Sequence, residues 1–247
     1  MPVPAPRRVT RRQGSRKSAV GLGVIGFALL SISGSACGEV SGTISVVSDY
    51  RYRGISLSDN EPAAQVGIAY DGAQGWYLGG FVSTVESSIY STSGVQAIGY
   101  GGYAWRMPSG LSLEAGADYS VVTAAPRYDY PEVYLGFAYQ NLSGRVYYSP
   151  RYLGLDSSAV YGELNLAQPL AEHVRLLVHV GVLGSEAKTF YGTRSAPVFD
   201  FAIGGGIDWQ GFNVQLSWVG VNRYSPAYQA TGVGNRTGPV LSVSHAF

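Results

Sequence analysis

The sequence predicts an all-β protein, a transmembrane antiparallel β-barrel of about 12 strands that follows a cleaved N-terminal signal peptide. Three observations carry this reading. Apolar residues recur with period two through most of the chain after residue 38, and the connections between those runs alternate between short and long. No stretch in the same region holds 18 consecutive apolar residues, so a spanning helix is excluded and strands are left to do the crossing.

The first element is the leader. Arg7, Arg8, Arg11, Arg12, Arg16 and Lys17 precede the apolar run 19–32 (AVGLGVIGFALLSI), and the small residues SGSACG follow. These are the three parts of a secretory signal. The run is 14 residues long, short of the roughly 20 that a spanning helix needs. Cleavage after Gly38 puts Ala36 at −3 and Gly38 at −1, giving a signal peptide over 1–38 and a barrel over 39–247; a cut after Ala36 is the alternative. Cys37 is the only cysteine, and Gly34 stands where a lipoprotein signal needs a branched aliphatic residue. The mature chain therefore has no thiol and no disulfide, as suits a protein that crosses the periplasm unfolded.

Composition narrows the class further. Six of the 17 Lys and Arg lie in the leader, which leaves 11 against 16 Asp and Glu in the remainder, an excess of five acids. That chain has no basic stripe to neutralise phosphates, and nucleic acid is not expected as a partner. Charged residues make up only 13% of the sequence while hydrophobic residues make up 46%, which excludes a disordered chain.

The strands follow in order. Ile44, Val46, Tyr50 and Tyr52 alternate with Ser45, Asp49, Arg51 and Arg53; Leu111, Leu113, Ala115, Ala117, Tyr119 and Val121 alternate with Ser112, Glu114, Gly116, Asp118 and Ser120. Similar alternation marks 174–182 and 212–218. Reading turns between such runs gives strands over 42–53, 61–71, 76–85, 95–107, 111–122, 131–140, 144–153, 159–168, 174–183, 197–208, 212–223 and 237–247. Connections after the even-numbered strands are short (DGAQG, PSG, NLSG, QPLAEH, QG), and those after the odd-numbered ones are mostly longer and polar. An even strand count with one short-turn side and one long-loop side is the pattern of an outer-membrane barrel, with both termini on the periplasmic short-turn side.

Tryptophan supports this orientation. Trp76, Trp105 and Trp209 each stand beside a short turn on the apolar parity, where an aromatic girdle belongs. A soluble sandwich or soluble ligand-holding barrel is the competing architecture, and its water-facing parity needs Lys and Glu. Here that parity is rich in Gly, Ser, Ala and Tyr, and the only lysines are Lys17 and Lys188. The end LSVSHAF places Leu241, Val243 and Phe247 on one parity, similar to the terminal signal that hands bacterial barrels to their insertion machinery, with His245 departing from the usual apolar residue.

The run Ser48 to Ser83 (SDYRYRGISLSDNEPAAQVGIAYDGAQGWYLGGFVS) resembles the opening of the TorF-type porin family of bacterial outer-membrane proteins. The matching residues are Tyr52, Arg53, Gly54 and Ser56, then Asn60, Pro62 and Ala63, then Gly75, Trp76, Tyr77 and Gly79. After about residue 140 the likeness is architectural only. The resemblance implies an outer-membrane channel and leaves its permeant open.

Asp49, Arg51 and Arg53 fall on the inward parity of the first strand, where charge tunes ion passage; alternatively they pair with facing acids such as Glu114, Asp118 or Glu132 and knit the interior. Arg145, Arg151, Glu163, Arg175, Asp200 and Asp208 complete the candidate pore-lining set, whose mixed signs predict a polar pore of weak selectivity. Twelve strands make a narrow pore, and the inward glycines Gly67, Gly102, Gly116, Gly136, Gly181, Gly204 and Gly206 are expected to leave room for water.

An enzyme is the rival class. His173, His179 and His245 stand in no nucleophile motif, and a triad of His179 with Ser217 or Asp200 is only an assembly on paper. No close-spaced ligand set marks a metal or a cofactor. The reading is thus a non-enzymatic outer-membrane barrel passing small hydrophilic solutes or ions by diffusion. Its partners are membrane lipid and, through Phe247, the insertion machinery. A non-conducting barrel that binds or scaffolds through its outer loops is the alternative.

Overall fold

The computed structural model describes residues 38–87, 92–123, 125–186, 196–222 and 237–247. Residues 1–37 of the predicted leader, including Cys37, lie outside the described residues, as do most of the two long connections near 184–196 and 224–236. The strands are β1 (Glu39–Val47), β2 (Arg51–Tyr52), β3 (Ile55–Ser56), β4 (Ala63–Asp71), β5 (Trp76–Ser87), β6 (Thr92–Arg106), β7 (Leu111–Val122), β8 (Tyr130–Tyr139), β9 (Leu142–Ser149), β10 (Ala159–Ala171), β11 (Val174–Ser185), β12 (Val198–Trp209), β13 (Phe212–Val221) and β14 (Gly238–Ala246).

All of them except β2 and β3 form one closed barrel of 12 strands, the number the alternation predicts. Successive wall strands pair antiparallel, and β1 closes the ring by pairing with both β4 and β14. Closure removes every sheet edge and satisfies the backbone inside the wall, the condition for a sheet in hydrocarbon. Short turns such as Gln210–Gly211, whose φ values are 50° and 85°, gather at the end that holds both β1's start and β14's finish. Two positive φ values in a two-residue loop make the tight reversal that matches strand twist.

The two parities of the wall differ sharply. Ile44, Val66, Leu78, Leu135, Val146, Ile203 and Leu216 are exposed on the outside, whereas Ser83, Gln96, Ser120, Gln215 and Ser242 are buried within. Trp76, Trp105 and Trp209 are exposed beside the short turns, with Trp76 and Trp105 both edge-on to Tyr103. Tyr119, Tyr148, Phe199 and Trp218 are exposed toward the opposite end. An apolar belt between two aromatic rings is the surface that a bilayer covers. His245 turns out to serve its neighbouring turn: its Nδ1 lies 2.9 Å from the Gly211 carbonyl and its ring rests near Phe212.

The predicted first strand, 42–53, needs correction. Pairing with β14 ends just past Val47, where the Ser48 amide donates to the Leu241 carbonyl, and the chain then turns inward. Residues 49–58 are all buried and form the β2–β3 hairpin inside the barrel mouth. Alternation continued past 47 because the hairpin arms are extended too; period two reports an extended chain and not which wall it belongs to. The strand predicted over 144–153 likewise ends at Ser149, and the 3₁₀ turn Tyr152–Gly154 follows.

Apolar side chains of the hairpin (Tyr50, Tyr52, Ile55, Leu57) pack with inward residues at the long-loop ends of the strands (Val47, Val85, Val122, Leu183, Val198) and with Tyr152 and Leu153. The largest buried apolar cluster therefore lies inside the barrel, running from the long-loop mouth down to Tyr77 and Ala104 near the short turns.

Candidate functional site

The site is the lumen and the hairpin that enters it. Arg53 and Gly54 are the two central residues of the hairpin turn, with φ of 50° and 77°. Glycine takes this conformation freely, but arginine does so at a cost of order 1–2 kcal/mol. The cost is met by what the guanidinium reaches. Arg53 Nη1 donates to Glu132 Oε1 at 3.1 Å and Nη2 to Oε2 at 2.6 Å, a two-pronged pair that is almost wholly buried. Four tyrosine rings surround the same group, with centroids 4.3 Å (Tyr161), 5.0 Å (Tyr52), 5.2 Å (Tyr147) and 5.3 Å (Tyr152) from its central carbon. Cation–π attraction is strongest in such a desolvated setting.

The hairpin crosses the lumen from wall to wall. Tyr50 donates its hydroxyl to Gln96 on β6 at 2.8 Å, Arg53 holds Glu132 on β8, and Gly54 abuts β12 and β13. A Cβ on Gly54 would stand 2.6 Å from Asp200 Cβ and 3.2 Å from the Gly220 carbonyl. Asp49 and Arg51, predicted as wall residues, instead organise the infolded segment. Arg51 Nε donates to Asp49, Ser56 Oγ donates to Asp49 Oδ1 at 2.6 Å, and Arg51 Nη2 donates to Asn60 Oδ1 at 3.1 Å. Of the facing acids expected to pair with this segment, Glu132 does so; Glu114 pairs with Arg145, and Asp118 stands opposite Glu132 with its Oδ2 making no hydrogen bond.

Below the hairpin the strand register lines up two rows. One reads Tyr77, Gly102, Gly116, Tyr134, Tyr147, Tyr161 across β5 to β10. Two glycines in the middle let Tyr77 and Tyr134 reach across them, and their hydroxyls meet at 2.9 Å. The other row reads Glu114, Gly136, Arg145, Glu163, Gly181, Asp200 across β7 to β12. Glu114 and Arg145 pair over Gly136, with Arg145 Nε 2.5 Å from Glu114 Oε1; a Cβ at 136 would sit 2.5 Å from that same oxygen. The inward glycines at 102, 116, 136 and 181 therefore receive tyrosine, glutamate, arginine and aspartate side chains, and the expectation that they leave open water space is corrected there.

Asp200 Oδ1 accepts from Tyr161 at 3.2 Å and lies 2.8 Å from His179 Nε2, while His179 Nδ1 lies 2.7 Å from Asn165 Oδ1. Both ring nitrogens of His179 thus face amide, carboxylate or phenol partners. The His179–Asp200 pairing considered from sequence is therefore present, while Ser217 stands on β13 in register with Gly204. Nearer the short turns Arg175 Nη2 donates to Asp208 Oδ1 at 3.0 Å, and Asn213 shares that oxygen at 2.8 Å. Arg151 is a correction: it lies past the end of β9 with its side chain 64% exposed, 3.8 Å from Asp156, because the strand stops at Ser149. Among the described residues no group of three or more His, Cys, Asp or Glu is placed to hold a metal ion.

The tyrosine row and the aromatic surround of Arg53 were not singled out from sequence. Their signal was there, since Tyr77, Tyr134, Tyr147 and Tyr161 stand on the inward parity of their strands, where a water-filled pore has no need of large rings.

The architecture recurs among solved structures. The KdgM porin superposes with a TM-score of 0.52 at 11% identity, over 84% of this chain and 99% of that one. The KdgM porin in complex with disordered oligogalacturonate gives a TM-score of 0.50 at 12% identity, over 84% and 98%. These likenesses establish a shared fold with outer-membrane porins. No curated protein matches the sequence. A family profile described as "Bacterial protein of unknown function (Gcw_chp)" matches residues 32–245, and the chain belongs to that family.

Proposed function

We propose that the protein is an outer-membrane channel through which small hydrophilic solutes or ions diffuse, with the infolded segment 48–62 as its constriction. The observation that carries this reading is the inversion of polarity across the wall. An exterior of exposed Val, Ile, Leu and aromatic residues encloses an interior of ion pairs, amides and hydroxyls, an arrangement that costs free energy in a soluble protein and lowers it in a bilayer. The porin fold agrees with it, and so does the TorF-type resemblance, whose first two motif steps, from Tyr52 to Ala63, fall almost wholly on the infolded segment.

In this reading residues 1–38 are removed after export, Phe247 addresses the insertion machinery, the long loops face outward and both termini are periplasmic. Passage is passive, and the site residues act by charge and size rather than by bond making.

A second reading has its own observation. The apolar packing of Tyr50, Ile55 and Leu57 at the mouth favours a barrel that stays closed and works through its outer loops. Single-channel recording on residues 39–247 refolded in detergent and inserted in a planar bilayer separates the two. Discrete current steps support the channel; silence from a folded, heat-modifiable preparation, with Arg53→Ala silent as well, sinks it.

A further inference from the structure

The interior arginines among the described residues are all committed. Arg51 is paired with Asp49, Arg53 with Glu132, Arg106 with Asp71, Arg145 with Glu114 and Arg175 with Asp208. Away from the short-turn mouth, three described inward carboxylates have no arginine partner in that scheme: Asp118, Glu163 and Asp200. Asp200 is answered in part by His179 and Tyr161. Asp118 is not. It faces inward from β7 directly opposite Glu132 in register, is only 6% exposed, and its Oδ2 makes no hydrogen bond. A buried carboxylate oxygen beside a second carboxylate is costly unless something positive visits it.

Resting on the channel reading above, we propose that the lumen selects cations over anions, and that Asp118 is the residue that sets the preference, with Glu163 in support on β10. A permeating monovalent cation lowers its energy in the field of the Asp118 carboxylate, at the level of the Arg53–Glu132 pair, whose own charge is already neutralised. An anion meets no uncommitted arginine in the described interior, and its charge has the wrong sign for the carboxylates that remain.

The test is a reversal potential in a KCl gradient across a planar bilayer, on the wild-type barrel and on Asp118→Asn, with Glu163→Gln as a second variant. Asparagine keeps the shape of aspartate, and retention of heat-modifiable migration on a detergent gel establishes folding. The expected result is a potassium-selective wild type, a fall of roughly two-fold or more in the potassium-to-chloride permeability ratio for Asp118→Asn, and a smaller fall for Glu163→Gln. Where the wild type passes too little current to read, the same comparison is made in an Arg53→Ala background. Chloride selectivity, or a ratio unmoved by Asp118→Asn, overturns the cation preference while leaving the channel standing. Silence from folded wild type and Arg53→Ala alike removes the channel and the preference together.

Discussion

The barrel has two unlike halves. From β7 to β12 the inner wall carries Glu114, Asp118, Glu132, Arg145, Glu163, Arg175, Asp200 and Asp208, whereas β13, β14, β1 and β4 to β6 present uncharged residues along most of their length, with Glu39, Asp71 and Arg106 only at the short-turn mouth. Both halves have the same apolar exterior and the same strand geometry, so the difference belongs to what the lumen does and not to how the wall is held. The hairpin respects this division. Its arginine is aimed at the charged half through Glu132, while Tyr50 meets the neutral half through the amide of Gln96. Charge fixes the hairpin on one side; a neutral hydrogen bond suffices on the other.

The largest expected effect comes from breaking the anchor. Arg53→Ala strands Glu132 among tyrosines without a counter-charge, and losing one partner of a buried pair typically costs about 3–5 kcal/mol. The hairpin then leaves the wall, and conductance in a planar bilayer rises several-fold while denaturant resistance falls. Restoring the balance with Arg53→Ala/Glu132→Gln recovers much of the resistance without reclosing the pore. A single variant that conducts like the wild type would mean that the apolar residues Tyr50, Ile55 and Leu57 hold the segment unaided.

Much of this was legible from residue pattern alone, and the part that was not has a physical cause. Period two and turn chemistry located all 12 wall strands, because a membrane barrel writes its two environments on alternate residues. The same rule misplaced Asp49, Arg51 and Arg53, because a hairpin reversing into the lumen also alternates, and nothing in a run such as YRYRGIS states that the chain has left the wall. The Arg53–Gly54 step could have given a hint, since a residue pair before a second extended run can be a two-residue turn. The expected pairing of interior charge was visible in kind; the partners were not, because Arg145 reaches Glu114 across Gly136 through a register that only the closed sheet defines.

Gly54→Ala tests the seam where the hairpin tip meets both halves, β12 and β13, with the next largest effect. The new methyl group meets Asp200 Cβ and the Gly220 carbonyl, and φ of 77° disfavours any side chain. Conductance is expected to rise less than for Arg53→Ala, because Arg53 still holds Glu132 and only the tip is displaced. An equal rise in the two variants would place the control at the tip rather than at the ion pair.

Gly136→Ala stays within the charged half and leaves the hairpin alone. Its methyl group would lie 2.5 Å from Glu114 Oε1 and 2.8 Å from Arg145 Cγ, so the bridge over the glycine must open. Freed from Glu114, Arg145 can turn to Glu163, its cross-strand neighbour in β10. The expected outcome is a modest change of reversal potential with little change of conductance. An unchanged reversal potential would indicate that the pair contributes packing and no electrostatic control.

The smallest effect belongs on the neutral half. Ser242 is buried on β14, in register with Val47 on one side and Gln215 on the other, far along the ring from Glu132 and Asp118. Ser242→Ala removes one buried hydroxyl from a wall that carries no charge to be balanced, so stability should fall by no more than about 1 kcal/mol and the reversal potential should not move. Ser242→Asp is the sharper form of the same experiment. If the permeation path runs along the charged half, as Asp118 suggests, a new carboxylate on β14 leaves the potassium-to-chloride ratio close to that of the wild type. A ratio that climbs as far for Ser242→Asp as it falls for Asp118→Asn would mean that ions use the whole cross-section, and the two halves would then differ in how they seat the hairpin but not in what they admit.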